Sequence, residues 1–338
     1  MSHREPHEPL FAAIDRLAGA RVGVVGDLVA DRYVSGQTDR VSREAPVLIV
    51  RYEAEWFRPG GAANVAANIA ALGATACVVG LVGDDEAGRQ LLTTMADTDA
   101  GGAVECRHVI VAPGRTTITK TRFLAGARLT SRQQVLRLDR EPSTRPDEKL
   151  LAQLRDRIAS VDTEVDAWVV SDYGYGAFDE ASRALLREIA SRKPVVADSR
   201  YDTLRFQGVT VVKPNEEEAE SAARSLGLTF ENECELAAGL AARLGVKAAV
   251  VTLGNKGMVL SADGRVVRIP AVGSEEIVDL TGAGDSVAAL LGAALAGGAD
   301  METACRLANH AGAVVVMKEG AATASPVELR ASVAAAAR

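Results

Sequence analysis

The sequence predicts an α/β fold in which a mainly parallel sheet carries helices on both faces and a small second β-sheet stands apart from it. Three observations lead there. Short β-branched runs alternate with helical patterns along most of the chain, an order that implies right-handed crossovers and parallel strands. Aromatic residues make up 4% against 48% hydrophobic residues, so Ala, Val, Leu and Ile must fill the core. That suits helices laid on a sheet better than an aromatic-rich sandwich. Two stretches, 33–52 and 115–124, read as extended, alternating and partly polar, with no helix between neighbours.

In chain order, the first buried strand is Val22-Gly23-Val24-Val25, closing on Gly26-Asp27, with a functional loop expected at its carboxyl end. The first extended stretch follows, to be read either as a surface β-meander or as a lid over the pocket. A helical pattern at 64–72 leads to a strand at 77–82. The turn Gly80-x-x-Gly83-Asp84-Asp85-x-x-Gly88 reads as scaffold. After the second extended stretch come helices at 147–158, 180–190, 216–226 and 234–244, with strands at 167–171, 194–198, 208–213 and 248–253. From 279 onward the chain is helical and rich in Ala and Gly, suited to close helix packing. With 338 residues and no repeat or low-complexity linker, one domain is expected over 1–330. The lid would be inserted at about 32–53 and 113–125, and 331–338 would be a frayed terminus.

Composition narrows the function. A formal net charge of −7 argues against a general binder of nucleic acid or of membrane surfaces. The four cysteines lack metal-ligand spacing and read as buried apolar residues or free thiols of a reducing compartment. No apolar run is long enough to cross a bilayer, and the polar start has no signal-peptide core, so the expected location is cytoplasmic.

The sharpest motif is Thr281-Gly282-Ala283-Gly284-Asp285-Ser286, followed by an apolar helical pattern. Small residues at a helix start let backbone N–H groups approach an anion. Asp285 there is placed either to take a proton from a hydroxyl or to cap the helix. The second motif, Arg58-Pro59-Gly60-Gly61-Ala62-Ala63-Asn64, allows close ligand approach and offers an amide to sugar hydroxyls; it also reads as a turn entering a helix. Asn215 and Glu218, in Lys213-Pro214-Asn215-Glu216-Glu217-Glu218, read from the residues alone as an N-cap with its capping-box acid. The Walker-type phosphate loop, the dinucleotide fingerprint and the protein-kinase signatures are absent.

Gly60-Gly61-x-x-Asn64, Ala71-Leu72-Gly73, Gly80-x-x-Gly83-x-Asp85-x-x-Gly88 and Asp279-x-Thr281-Gly282-Ala283-Gly284-Asp285 together resemble the ribokinase-like (phosphofructokinase B-type) carbohydrate kinases, over about residues 21–326. The resemblance implies a three-layer sandwich with a mainly parallel central sheet plus a small β-sheet lid. It also implies phosphoryl transfer from ATP to a sugar hydroxyl. By that resemblance Asp285 is the catalytic base and Gly282, Ala283 and Gly284 the anion hole. Asp27, Asp31, Gly60, Gly61 and Asn64 bind the sugar. Asn215 and Glu218 support Mg2+ and phosphate, through water. Thr252, Gly254 and Gly257 form the nucleotide turn, Asn309 borders adenine, and Asp279 and Thr281 form a monovalent-cation site for K+.

Rarer segments resemble the heptose-7-phosphate kinases, among them Arg40-Val41-Ser42-Arg43-Glu44-Ala45-Pro46-Val47, Ser131-Arg132-Gln133-Gln134 and Ser171-Asp172-Tyr173-Gly174-Tyr175-Gly176. This implies phosphorylation of the anomeric hydroxyl of D-glycero-D-manno-heptose 7-phosphate, with Asp172 near the substrate. A 7-phosphate needs cationic or amide groups at the far end of the pocket. Lys120, Arg122, Arg132 and Gln134 are the candidates; as edge-strand residues they also discourage aggregation. The chain departs from those kinases at Tyr175, where they carry Lys, and it is too short to include the nucleotidyltransferase of their bifunctional relatives. A kinase of another sugar and a catalytically dead sugar-phosphate sensor are the competing readings. A homodimer joined through the lid strands is expected.

Overall fold

The computed structural model describes residues 7–97, 101–127, 132–273 and 277–336. The strands are β1 (Arg21–Gly26), β2 (Leu28–Val41), β3 (Leu48–Gly61), β4 (Thr75–Gly83), β5 (Ala103–Glu105), β6 (Ile110–Ala112), β7 (Ile118–Gly126), β8 (Gln133–Arg140), β9 (Ala167–Asp172), β10 (Val195–Ser199), β11 (Val211–Val212), β12 (Ala248–Thr252), β13 (Met258–Ala262) and β14 (Arg265–Ile269). The helices are α1 (His7–Leu17), α2 (Ala62–Ala71), α3 (Glu86–Ala96), α4 (Glu148–Asp162), α5 (Glu180–Ala190), α6 (Glu216–Ser225), α7 (Glu233–Leu244), α8 (Ala283–Ala296), α9 (Met301–Val315) and α10 (Pro326–Ala336).

The large sheet runs β14-β13-β12-β11-β10-β9-β1-β4-β5, with β6 also on β4. Pairing is parallel from β12 across to β5 and antiparallel only at β12–β13 and β13–β14. Alternate strand residues feed two cores. Val22, Val24 and Val169 join α1, α2, α8, α9 and α10 on one face, while Val25, Trp168 and Val170 join α4 to α7 on the other. This is the three-layer sandwich expected from the alternating pattern. Gly23 in β1 is explained by its register partner Trp168, whose ring lies 2.5 Å from where a Cβ on Gly23 would stand.

The second sheet, β3-β2-β7-β8, is separate. Its bounds differ from the expected 32–53 and 113–125. Residues 113–117 precede β7, and Thr117 instead gives its hydroxyl to Asp85, the N-cap of α3. The Asp84-Asp85 turn is therefore scaffold, as its spacing suggested. The long extended stretch is two paired strands, β2 and β3, with bulges after Ser35 and Thr38 that obscure the alternation. β8 is the fourth strand of this sheet, and the expected strand at 208–213 shrinks to Val211–Val212.

The tail is a further correction. Residues 331–336 are not frayed but complete α10, whose Leu329 and Val333 are buried. Residues 337–338 lie outside the described residues, as do Ser131 and the first six residues of the start. Among the described residues no helix is long and apolar enough to cross a membrane.

Candidate active site

The carboxyl ends of β9, β10, β11 and β12 open on a cleft of about 900 Å³, closed by the N-termini of α6 and α8. Such a position outside the strand carboxyl ends is where open parallel sheets bind ligands. Asp172, Lys213, Asn215, Glu218, Thr252 and Asp285 reach it from four different chain segments.

Asp285 sits in the first turn of α8 and is 6% exposed. It is not the helix cap; Gly282 holds that position with φ +80°. A side chain on Gly282 would also strike the Asn64 amide, 2.7 Å from the Cβ position. Asn64, in α2, donates its Nδ2 to Asp285 Oδ2 at 2.7 Å, while Tyr173 donates its hydroxyl to Oδ1 at 3.1 Å. Burial, with a smaller push from Asp198, raises the Asp285 carboxyl to about 7 against the pull of Asn64, Tyr173 and Lys213. A carboxylate poised there is ionised above neutrality and basic enough to take a proton.

The turn before α8 faces the cleft with its amides. Ala283 N–H reaches the Leu280 carbonyl at 3.3 Å, which leaves the next N–H groups of the first turn, those of Gly284 and Asp285, aimed outward. Beside them stands Lys213, 3% exposed, its Nζ 3.1 Å from Asp198 Oδ2 and 3.7 Å from a Cβ position on Gly284. Backbone donors at a helix N-terminus next to a buried ammonium form an anion site.

Asp27 follows β1 behind the Tyr173 turn, outside the residues that line this cleft, and is held by the backbone N–H groups of Tyr173 (2.8 Å) and Tyr175 (3.2 Å) through Oδ2. Burial and the neighbouring Asp172 raise it to about 7 against those two bonds. Gly61 has φ +56°, and a Cβ there would stand 2.6 Å from the Asp27 carbonyl; Gly60 packs equally close against Asp31. Asp31 in β2 is paired with Arg122 in β7 at 2.6 Å, and both side chains are largely buried. Lys120, beside Asp31 in register, is 8% exposed and lies 4.9 Å above the Tyr173 ring. Desolvation depresses its ammonium below the ordinary lysine range. No hydrogen bond or ion pair reaches it among the described residues.

The remaining expected residues divide. Asn215 and Glu218 form a reciprocal capping box at the start of α6, as the residues alone suggested, and both still line the cleft. Thr252 and Gly254 line it too. Gly257 does not; it is pressed against the backbone of 269–271. Asn309 spends its amide on the Pro270 carbonyl, tying α9 to the end of β14. Asp279 accepts from Thr281 N–H and Gly320 N–H and braces the turn before α8. Arg132 is engaged with Glu53 and the Ala127 carbonyl. Gln134 is exposed near the start of β8, whereas the register partner of Lys120 is Asp139 near its end. Tyr175, standing where a Lys was expected, gives its hydroxyl to Glu141.

Sequence reasoning missed three cleft residues: Lys213, Tyr173 and Arg200. Lys213 had a signal, since a lysine two residues before the Asn of Asn-x-x-Glu, at a strand end, faces the same space. The Arg200 guanidinium lies between the Tyr173 and Tyr201 rings, a placement no local pattern announces. No group of three His, Cys, Asp or Glu side chains able to hold a metal occurs among the described residues. The Glu218 carboxylate at the mouth of α6 is an oxygen donor of the kind a hard divalent cation takes, one that could stand behind an ion carried mainly by phosphate oxygens and water.

The sequence profile of the pfkB family carbohydrate kinases matches residues 20–328. The Bifunctional protein HldE of Azorhizobium caulinodans is 40% identical over 319 residues, covering 93% of this chain and 64% of that protein. The chain thus spans just under two thirds of that relative's length. Among solved structures, phosphofructokinase-2 from Escherichia coli in complex with substrates and products superposes with a TM-score of 0.72 at 20% identity, covering 94% of this chain and 100% of that one. The ribokinase of Arabidopsis thaliana complexed with ribose and ATP gives 0.66 at 20% identity, covering 95% and 99%.

Proposed function

The chain belongs to the pfkB family of carbohydrate kinases, and we propose that it phosphorylates the anomeric hydroxyl of D-glycero-D-manno-heptose 7-phosphate, with ATP as donor, to give the 1,7-bisphosphate. The observation that carries the substrate reading is Lys120. A nearly buried ammonium that makes no hydrogen bond or ion pair among the described residues, with the Asp31 and Asp139 carboxylates only near it, is costly unless an anion completes it. It faces the wall that holds the base, where a phosphorylated acceptor would lie. The likeness of Ser171–Gly176 to heptose-7-phosphate kinases supports the same substrate.

In the reaction Asp285 accepts the proton of the acceptor hydroxyl, whose oxygen forms the new bond to the γ-phosphorus of ATP. The bond from that phosphorus to the β–γ bridging oxygen breaks, and ADP leaves. The amides of Gly282 and Gly284, with Lys213, stabilise charge on the phosphoryl oxygens in transit, whereas the Ala283 N–H, expected to share that role, is taken by the Leu280 carbonyl. Asn64 and the Tyr173 hydroxyl hold the base. Asp27 Oδ1 and Asp31 receive sugar hydroxyls, Gly60 and Gly61 let the chain pack against these two residues, and Asp172 borders them. Thr252 and Gly254 border the nucleotide, with Gly257 and Asn309 supporting that side through their backbone contacts. Asn215 and Glu218 would hold Mg2+ through water, and the ion would neutralise phosphate charge. Asp279 and Thr281 would stand beside K+.

The test is a panel of heptose 7-phosphate, fructose 6-phosphate, ribose and fructose with ATP and Mg2+. Heptose 7-phosphate is expected to have the highest kcat/KM. Lys120→Met should raise its KM at least ~10-fold, the cost of one charge-assisted contact, and leave unphosphorylated sugars little affected. Ribose or fructose as the preferred acceptor would overturn the substrate reading.

A homodimer through the lid belongs to the same reading. Every position of β8 is exposed, including Val135, Leu136 and Leu138, and β3 exposes Leu48, Ile49 and Tyr52. Exposed apolar edge strands invite a second copy. Light scattering at micromolar concentration should give twice the chain mass, and Leu138→Asp should halve it. A monomeric wild type would remove the dimer.

A further inference from the structure

The Ser171-Asp172-Tyr173 turn delivers a hydroxyl to the base. We propose that Tyr173 is a positioning residue for Asp285, its hydroxyl keeping the carboxylate ionised and aimed at the acceptor. This rests on Asp285 being the base, and the geometry stands independently of which sugar binds.

Three contacts fix Tyr173. Its backbone N–H donates to Asp27 Oδ2 at 2.8 Å, which anchors the turn to the end of β1. Its ring lies 4.9 Å from Lys120 Nζ on the lid and 5.9 Å from Arg200 Cζ beyond β10. Its hydroxyl donates to Asp285 Oδ1 at 3.1 Å, while Asn64 serves Oδ2 at 2.7 Å. A ring held by backbone and by cations has few other places for its hydroxyl. A carboxylate oxygen has two acceptor positions, so Oδ1 can hold Tyr173 and receive an acceptor hydroxyl together.

The charges around the pair come from every neighbouring element. Asp285 faces Asn64 from α2, Asp198 from β10 and Lys213 after β11. Tyr173 faces Asp285, Asp198 and Arg200, with Lys120 over its ring. The Lys120 ammonium in turn faces Asp31, Arg137, Arg200 and Asp139. The Asp285 charge, followed by burial, holds the Tyr173 phenol well above its ordinary range, so it stays a donor wherever the enzyme works. A donor to the charged form favours that form. Losing it raises the Asp285 pKa, and the base is then protonated over more of the acid side.

The variant is Tyr173→Phe, which keeps the ring, the cation contacts and the backbone bond. Two readouts separate this inference from the substrate reading. The first needs no acceptor: titration of carboxyl carbons in protein labelled with [13Cγ]aspartate, the Asp285 signal being the one lost in Asp285→Asn. Tyr173→Phe should move that titration up by about one unit, a tenfold shift for one hydrogen bond to a charged group. The second is the pH profile of turnover, whose acid limb should move with it and whose rate at pH 9 should recover to within about threefold of wild type. An Asp285 titration unchanged by Tyr173→Phe overturns the inference, as does a loss of turnover equal at every pH. If no sugar is phosphorylated by the wild type, the proposed function fails and the titration alone still decides the role of Tyr173.

Discussion

Asp285→Asn should lower kcat by at least ~10²-fold, the low end for loss of a general base, while substrate binding changes little. Asparagine is nearly isosteric, and Asn64 and Tyr173 can still be accommodated around an amide by a flip, so the cleft keeps its shape. What it cannot do is take a proton. The same substitution should not cost stability. The folded-state pKa of about 7 lies above the ordinary carboxylate value of 3.8, so the folded protein binds the Asp285 proton more tightly than the unfolded chain. Stability contributed by that proton is present at low pH and is lost as pH rises through the folded value. Asp285→Asn removes this dependence, and its gain in thermal stability relative to wild type should be larger at pH 8 than at pH 5. Single-turnover kinetics and thermal melts at the two pH values check both halves. A variant that turns over like wild type would remove Asp285 from the chemistry.

Lys213→Met should be the other severe change, and it separates structure from catalysis. Lys213 is buried against Asp198 and stands beside Gly284 at the anion site. Losing it should cost about 10²–10³ in kcat, the range for removing one preorganised stabiliser of transition-state charge. Removing one partner of a buried pair also costs about 3–5 kcal/mol of stability when the remaining charge stays unpaired. Burial already raises the Asp198 carboxyl despite the Lys213 attraction, and without the lysine it rises further. The destabilisation should therefore grow as pH rises and Asp198 ionises without its partner. Adding Asp198→Asn should restore stability and leave turnover low. Recovery of turnover in that double variant would assign Lys213 to folding alone.

Much of the core was legible because its strands carry β-branched runs and its helices begin at capping residues. Asp147, Asp179, Asn215 and Asn232 each cap a helix that the pattern had located. The lid was legible as extended chain but not in its bounds, since bulges in β2 shift the alternation and β8 is exposed on both faces. The base and its amide partner announced themselves by glycines that only a close approach explains, at Gly61 and Gly282. Tyr173 did not, because its role depends on which strand ends lie side by side. Strand order brings β9, β10, β11 and β12 together from distant parts of the chain. Asn309 and Gly257 show the reverse: motif spacing placed them near the nucleotide, and the folded chain spends them on backbone contacts.

The most direct test is 31P and 1H NMR of the product formed from ATP, Mg2+ and D-glycero-D-manno-heptose 7-phosphate by the wild-type protein. The prediction is one new phosphorus resonance per ADP formed, coupled to the anomeric proton, with the original 7-phosphate signal retained. ADP formed without that coupling, or no turnover of the heptose while another sugar is phosphorylated, would contradict it.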